Sequence, residues 1–543
     1  MAAAERHVRR DLEPTIPADL LDLSDEEFRR LGHWVVDRTA RHLATLRERP
    51  AITTGEIGDL DAALGGPLPQ SSAPVDEGLG LLADVALEHQ QHGDHPRYFA
   101  RVPGPSSHVA ILGEWLATGM QAMASSWGGG SGTAMLELVA LDWLRDALGL
   151  APGSDGILLS GGSMANTTAL LVARAEQARV ASLAASDASA STDEGVQPRH
   201  TDPGILFLSD QTHSSIARGA LAMGWPADRV QILPTDTGGA LAAATLAEAV
   251  AATHAPAADP ATPCAEVTDG AECVDGVAGR AAGRATAPRG VVVATVGTTN
   301  TGAVDDLAAI ATVCREHGLW LHVDGAYGGP AALVDRGDGR RVVPDLDLAD
   351  SFVLDPHKWL FQPYDIGCLW VAHPGALERT FAMHPEYLRD AQSGGAHGGR
   401  VDLHNRSLEL TRRSRAAKLW LTVRSYGIDT LADAVRRGIE LGEAAQALVE
   451  ADPRLELVTP ARLGVVTFGL AEAQDDGVTG RPVDDALPAR VAAAVTADGY
   501  AALTSTVLHD RSVLRLCTIN PRTTVAEIAR TLELVGYAAD RLR

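Results

Sequence analysis

Five short apolar runs, at 156–159, 205–209, 291–296, 320–323 and 352–354, are separated by stretches with helical patterning. Each run gives way at its carboxyl end to a turn rich in glycine, hydroxyl or charged residues. Strands that alternate with helices in this way predict a mostly parallel central sheet with helices on both faces. Open sheets of that kind place ligands beyond the carboxyl ends of their strands, so the turn residues there are the first candidates for a site. The expected organisation is a large α/β domain over 105–390 and a smaller α+β domain over 391–543. In the latter, helical stretches at 416–426 and 430–449 precede strand-like runs at 464–470 and 513–519.

Residues 1–104 form a third expected region, an N-terminal helical segment. Within it, 24–47 has amphipathic helical spacing: Ser24 and Glu27 suit a capping box, and Phe28, Leu31, Val35 and Leu43 fall near one face. Nothing local is available to cover that face, which predicts docking on the main body or on a second subunit. Two stretches interrupt the large domain. Residues 182–201 are rich in Ala, Ser and Asp, and residues 253–289 carry Ala, Thr, Pro and Gly with few large apolar side chains. Neither buries enough apolar surface to offset the entropy of ordering, so both are expected to be surface insertions without a catalytic role.

At 543 residues the chain exceeds what one core usually supports, which agrees with several structural units. A net charge of −24 argues against general nucleic-acid binding. Five cysteines without a CxxC pair or metal-like spacing point to reduced thiols and no structural metal. The amino terminus lacks the apolar stretch of a signal peptide, and no apolar run approaches the ~18 residues of a membrane span. A cytoplasmic protein without a membrane partner is the expectation.

Two of the strand ends carry the chemistry. His322-Val323-Asp324-Gly325-Ala326-Tyr327 follows one apolar run, and Asp355-Pro356-His357-Lys358-Trp359 follows another. A lysine and an aspartate at neighbouring strand ends suit pyridoxal 5'-phosphate (PLP). The amine holds the cofactor's aldehyde covalently, and the carboxylate keeps the pyridine nitrogen protonated so that the ring can accept electrons. His-Lys-Trp directly after a buried-looking strand is also a poor surface pattern. Ser160-Gly161-Gly162-Ser163 opens a helix after the first run, where unpaired backbone N–H groups and the helix dipole favour an anion such as a phosphate. His213, after the second run, is placed to stack on a pyridine ring, and the Thr295–Thr299 turn can set a hydroxyl beside it.

Together, SGGSMAN, SDQTHSS, TVGTT, HVDGAYGG and DPHKW, in this order, resemble the group II PLP-dependent amino-acid decarboxylases, which include aromatic-L-amino-acid, histidine and glutamate decarboxylases. The likeness extends from His95-Pro96-Arg97-Tyr98-Phe99 to Leu410-Thr411-Arg412-Arg413-Ser414-Arg415, nearly the whole chain apart from the two insertions. It implies PLP fold type I, the aspartate-aminotransferase-like architecture, in an obligate homodimer with active sites at the subunit interface. It also implies Lys358 as the covalent anchor, Asp324 as partner of the pyridine nitrogen and His213 as the ring-stacking histidine. Thr299 and Ala326 line the ring, and Gly162, Ser163 and His357 contact the phosphate. Tyr387 matches the tyrosine that the family uses as the acid protonating the alpha carbon, ahead of a Gly-rich stretch at 393–399 suited to a lid. Tyr98 and Phe99 are expected in the substrate pocket, and Arg412 near the substrate carboxylate, with Arg413 and Arg415 as close competitors. Asp355 stands where the family often has Asn. A carboxylate there would be repelled by the phosphate unless it points away or only its backbone takes part, so it is not counted among the site residues.

Aromatic side chains in the expected pocket favour an aromatic amino acid as substrate, with glutamate or diaminobutyrate as the aliphatic alternative. The expected products are an amine and CO2. Competing with this are an oxidative relative that makes an aldehyde, and a non-enzymatic homologue acting as a binding protein. The joint presence of Lys358, Asp324 and His213 counts against the last.

Overall fold

In the computed structural model the described residues are 19–185, 203–254, 289–383, 400–471 and 485–543. The chain divides into two compact units, Met1–Gln91 and His92–Arg543. The first contains the helix Asp25–Ala44, whose N-cap Ser24 accepts a hydrogen bond from the Glu27 amide. Glu27 does not close the expected capping box, because its carboxylate is taken by Arg30 one turn on. On this helix Leu31 is buried, whereas Phe28 is 69% exposed.

The second unit holds a seven-stranded sheet: β1 (Asp155–Leu159), β2 (Ile205–Ser209), β3 (Val230–Leu233), β4 (Gly290–Thr295), β5 (Trp320–Asp324), β6 (Ser351–Leu354) and β7 (Gly367–Val371), in spatial order β1-β7-β6-β5-β4-β2-β3. Neighbours from β6 to β3 pair in parallel, and β7 runs antiparallel to both β1 and β6. β1 therefore points the same way as β2 to β6, and all six have their carboxyl ends on one edge. β2, β4, β5 and β6 are buried along their whole length, as expected for strands covered on both faces. Alternate side chains go to opposite layers. Phe207, Val292, Ala294, Leu321, Val323 and Phe352 join one core, and Leu206, Leu208, Val291, Val293 and Val353 the other.

C-terminal to this sheet, the helical segment Ala416–Ala451 breaks at Gly427 (φ 75°), between the two helical stretches that the sequence predicts. It packs on a four-stranded antiparallel sheet, ordered β10-β11-β9-β8, of β8 (Leu455–Arg462), β9 (Val465–Leu470), β10 (Thr504–Leu508) and β11 (Arg511–Cys517). Val466, Phe468, Leu514 and Leu516 of this sheet form a third core with Ile528 and Val535 of the helix Val525–Leu542. Most of both insertions, at 186–202 and 255–288, lies outside the described residues. Among the described residues no helix is long and apolar enough to cross a membrane.

Candidate active site

The common carboxyl edge of β1, β2, β4, β5 and β6 encloses a cavity of about 500 Å³. Eight of the expected site residues line it: Gly162, Ser163, His213, Thr299, Asp324, Ala326, His357 and Lys358. They come from five turns spread over almost two hundred residues, and the parallel sheet is what brings those turns together.

Lys358 lies in a single helical turn, Pro356–Trp359, and its neighbour Trp359 explains how that turn is held. The Trp359 side chain is fully buried and stacks on Tyr327, with ring centroids 5.4 Å apart and planes 5° from parallel. Lys358 Nζ is 2.9 Å from Asp355 Oδ2. Burial works against the ammonium, but the Asp355 charge and hydrogen bond outweigh it, and the amine is held above the ordinary lysine range.

Asp324 ends β5 with both carboxylate oxygens engaged. Oδ1 accepts from the Ala326 amide at 3.0 Å and Oδ2 from Asn166 Nδ2 at 2.9 Å. A carboxylate in this role only accepts, so Asn166 must turn its amide nitrogen towards it. The Asn166 oxygen then faces His322 Nε2 at 3.0 Å, which makes that nitrogen the donor. His322 Nδ1 is left to accept from Ser351 Oγ at 2.9 Å, and Ser351 Oγ itself accepts from Trp320 Nε1 at 2.9 Å. His322 is thus a neutral imidazole. Burial, partly opposed by Asp324, drives its pKa down to about 4. Asn166 Nδ2 also donates to Ser215 Oγ at 3.1 Å, which is 2.9 Å from His213 Nδ1.

His213 is the N-cap of the helix Ser214–Ala222, its Nδ1 accepting from the Ser215 amide at 3.2 Å. Capping and cavity lining are therefore the work of one residue. Its pKa is lowered, chiefly by burial, so the ring is neutral near pH 7 with Nε2 carrying the proton. The Gly161-Gly162-Ser163 turn also lines the cavity. Gly161 has φ 146°, and a Cβ there would lie 3.0 Å from His357 Cε1, so this position needs glycine.

Three expected site residues are elsewhere. Arg412 is 1% exposed and donates to Glu137 Oε1 and to the Ala124 carbonyl, each at 2.7 Å. Its neighbours are also engaged, Arg413 by Glu114 and Arg415 by Glu409 and Asp365. A buried guanidinium needs a carboxylate partner, and Arg412 and Arg415 have theirs within the fold, while Arg413 is half-exposed. Tyr98 and Phe99 are 2% and 1% exposed and do not line the cavity. Their segment bridges to Ala502, and the Phe99 carbonyl accepts from the Cys517 amide, which draws Phe99 into the core of the second sheet. Tyr387 and the 393–399 stretch lie outside the described residues.

Asp355 corrects the expectation in the other direction. Its carboxylate is 2% exposed, lines the cavity and faces Lys358 instead of pointing away. Charge attraction to the lysine decides its orientation. Arg101, Val102, Asn166, Gln211, Ser215 and Thr295 also line the cavity. Thr295 Oγ1 is buried without a hydrogen-bond partner, a hydroxyl left for a ligand. An amine, a well-held carboxylate, a flat neutral imidazole, a glycine cradle at a helix start and an unpaired hydroxyl fit PLP in number and in chemistry.

Known proteins resemble this chain along nearly its whole length. The model of the pyridoxal-dependent decarboxylase conserved domain matches residues 67–270 and 286–471. The chain is 31% identical to an aromatic-L-amino-acid decarboxylase of Bacillus atrophaeus over 96% of its own length and 97% of the relative's. It is 28% identical to a phenylacetaldehyde synthase of a Rosa hybrid cultivar over 93% of its own length and 92% of that protein's. Among solved structures, Oryza sativa TDC with PLP and tryptamine superposes with a TM-score of 0.79 at 25% identity, covering 96% of this chain and 99% of the other. The chain belongs to the pyridoxal-dependent decarboxylases, a fold type I enzyme whose cofactor is pyridoxal 5'-phosphate and whose reaction removes a carboxylate as CO2.

Proposed function

We propose that this enzyme decarboxylates an aromatic L-amino acid to the corresponding amine. The meeting of Lys358, Asp324 and His213 in one cavity carries the decarboxylase reading, and the relatives named above support the aromatic substrate class. Bound PLP supplies an electron sink for the pair released when the bond to the carboxylate breaks. Lys358 would hold the cofactor covalently through its amine. Asp324, held by Asn166 and the Ala326 amide, keeps a proton on the pyridine nitrogen. His213 presents its neutral ring for stacking. Gly162, Ser163 and His357 hold the phosphate, while Thr299 and Ala326 flank the ring. Tyr387, matched by sequence alone, protonates the alpha carbon. Arg412, buried against Glu137, is left out of substrate binding in this reading.

Homodimerisation in the cytoplasm completes the proposal. Leu112, Leu116 and Met120 recur every fourth residue at the end of the helix His108–Gly119 and are 56%, 64% and 72% exposed, an apolar stripe that a second copy would cover. Three buried free cysteines fit a reducing compartment. Sedimentation showing a folded, active monomer would refute the dimer.

A panel of L-amino acids offered to PLP-loaded enzyme, scored for CO2, amine, aldehyde and peroxide, tests the activity. Aromatic substrates giving amine and CO2 in equal amounts are expected, and preference for glutamate or diaminobutyrate would overturn the substrate class. The phenylacetaldehyde synthase relative favours aldehyde formation as the second reading. Tyr387→Phe should shift product from amine towards aldehyde, and amine as its main product would give the acid role to another group, His213 first.

A further inference from the structure

We propose that Asp355 is a built-in counter-anion at the phosphate seat, one that lowers the enzyme's affinity for its cofactor and keeps it exchangeable. This rests on the reading that the phosphate is held at the Gly162–Ser163 turn. Asp355 Oδ2 lies 2.9 Å from Lys358 Nζ and 3.5 Å from His357 Nε2. A Cβ on Gly162 would be 2.8 Å from that oxygen, and one on Gly367 would be 2.9 Å from Oδ1. The carboxylate is thus wedged between the first turn of the helix Gly162–Ala185 and the start of β7, beside the dipole end that favours an anion. Oδ1 is buried and has no hydrogen-bond donor. Such a group has given up water on one side and gained only a cation on the other.

A phosphate at the same helix start meets this carboxylate at close range, with little water between them to screen the repulsion. Lys358, the cation that balances Asp355, is also the group the cofactor needs. Asp355 therefore opposes loading in two separable ways, by repelling the phosphate and by holding the amine as an ammonium. The inference commits to the first.

Affinities of the apoenzyme for inorganic phosphate, PLP and phosphate-free pyridoxal, measured by calorimetry or quenching of protein fluorescence, separate the two. Asp355→Asn, with Asp355→Ser as a second variant should the first not fold, is expected to bind phosphate and PLP about tenfold more tightly or better. That is the size a like charge within ~4–6 Å commonly has on a neighbouring group. Pyridoxal, which lacks the phosphate and reports only the hold on the amine, should gain clearly less than PLP does. The PLP-loaded variant should also lose its cofactor more slowly on dialysis. Unchanged or weaker phosphate binding, or an equal gain for pyridoxal, would overturn the inference. Ser163→Ala is the companion measurement: phosphate affinity should fall. If it does not, the seat is misplaced and the inference goes with it, whereas failure of the Asp355 variants alone leaves the seat standing.

Discussion

Asp324 at the end of β5 and Asp355 just beyond β6 are carboxylates on adjacent strands, 5% and 2% exposed, yet their surroundings differ in kind. Asp324 accepts two hydrogen bonds from neutral donors, one from the backbone and one from Asn166, and Asn166 is itself held by His322. Asp355 has the ammonium of Lys358 on one oxygen and no hydrogen-bond partner on the other. The first arrangement keeps a charge in place whatever enters the cavity. The second depends on a partner that, in the proposed reaction, also has to bond the cofactor. A buried carboxylate at a site is therefore not one kind of object: neutral, rigid donors make it a fixture, and a reactive cation makes it part of a balance.

This contrast can be broken at four points, from the largest expected effect to the smallest. Lys358→Ala removes the proposed anchor of the cofactor and the Asp355 counter-charge together. Multiple-turnover activity and the absorbance of lysine-bound cofactor should both vanish while the fold persists, and turnover near the wild-type rate would void the assignment. Asp324→Asn leaves the shape but not the charge that holds the ring proton. A loss of ~10²-fold or more in kcat is expected, with cofactor still bound. A loss under about threefold would make the neutral-donor cage irrelevant to catalysis, since a preorganised charge is usually worth far more.

Asn166→Ala tests the cage itself. It removes one hydrogen bond to a charged group, worth ~1.5–3 kcal/mol, so a loss of about tenfold to a hundredfold is expected with Asp324 intact. The absorbance of the bound cofactor should also begin to titrate with pH in this variant, which a merely structural defect would not cause. The last test uses His322, whose pKa falls from 6.5 in the unfolded chain to about 4 in the fold. Between these values the unfolded chain binds the extra proton, so stability is full above pH 6.5 and is lost as pH falls towards 4. The slope approaches ~1.4 kcal/mol per pH unit, on the order of 3 kcal/mol over the window. His322→Gln should flatten that part of the curve, and an unchanged slope in chemical denaturation would show that His322 is not the titrating group.

Much of the site was legible in the chain. Gly162, His213, Thr299, Asp324 and Lys358 follow strand ends, and a parallel sheet with all those ends on one edge leaves their turns nowhere else to go. Trp359 after Lys358 also announced that the turn was anchored in a core. Strand periodicity and turn chemistry are local properties, so the sequence by itself determined the fold class, the edge that carries the cavity and most of the residues that line it.

Tertiary structure decided the rest, because it turned on what stands opposite in space. Arg412 looked suited to a substrate carboxylate until Glu137, 275 residues earlier, took it. Tyr98 and Phe99 were drawn to the second sheet by backbone bonds to Ala502 and Cys517. Asn166 reaches Asp324 across 158 residues, and no local pattern marks that pairing. Asp355 was expected to avoid the site on charge grounds, and the same physics brought it in once Lys358 was found 2.9 Å away. A charged or aromatic side chain carries its chemistry in the sequence but not its partner, and in a buried setting the energy of that partner outweighs local preference.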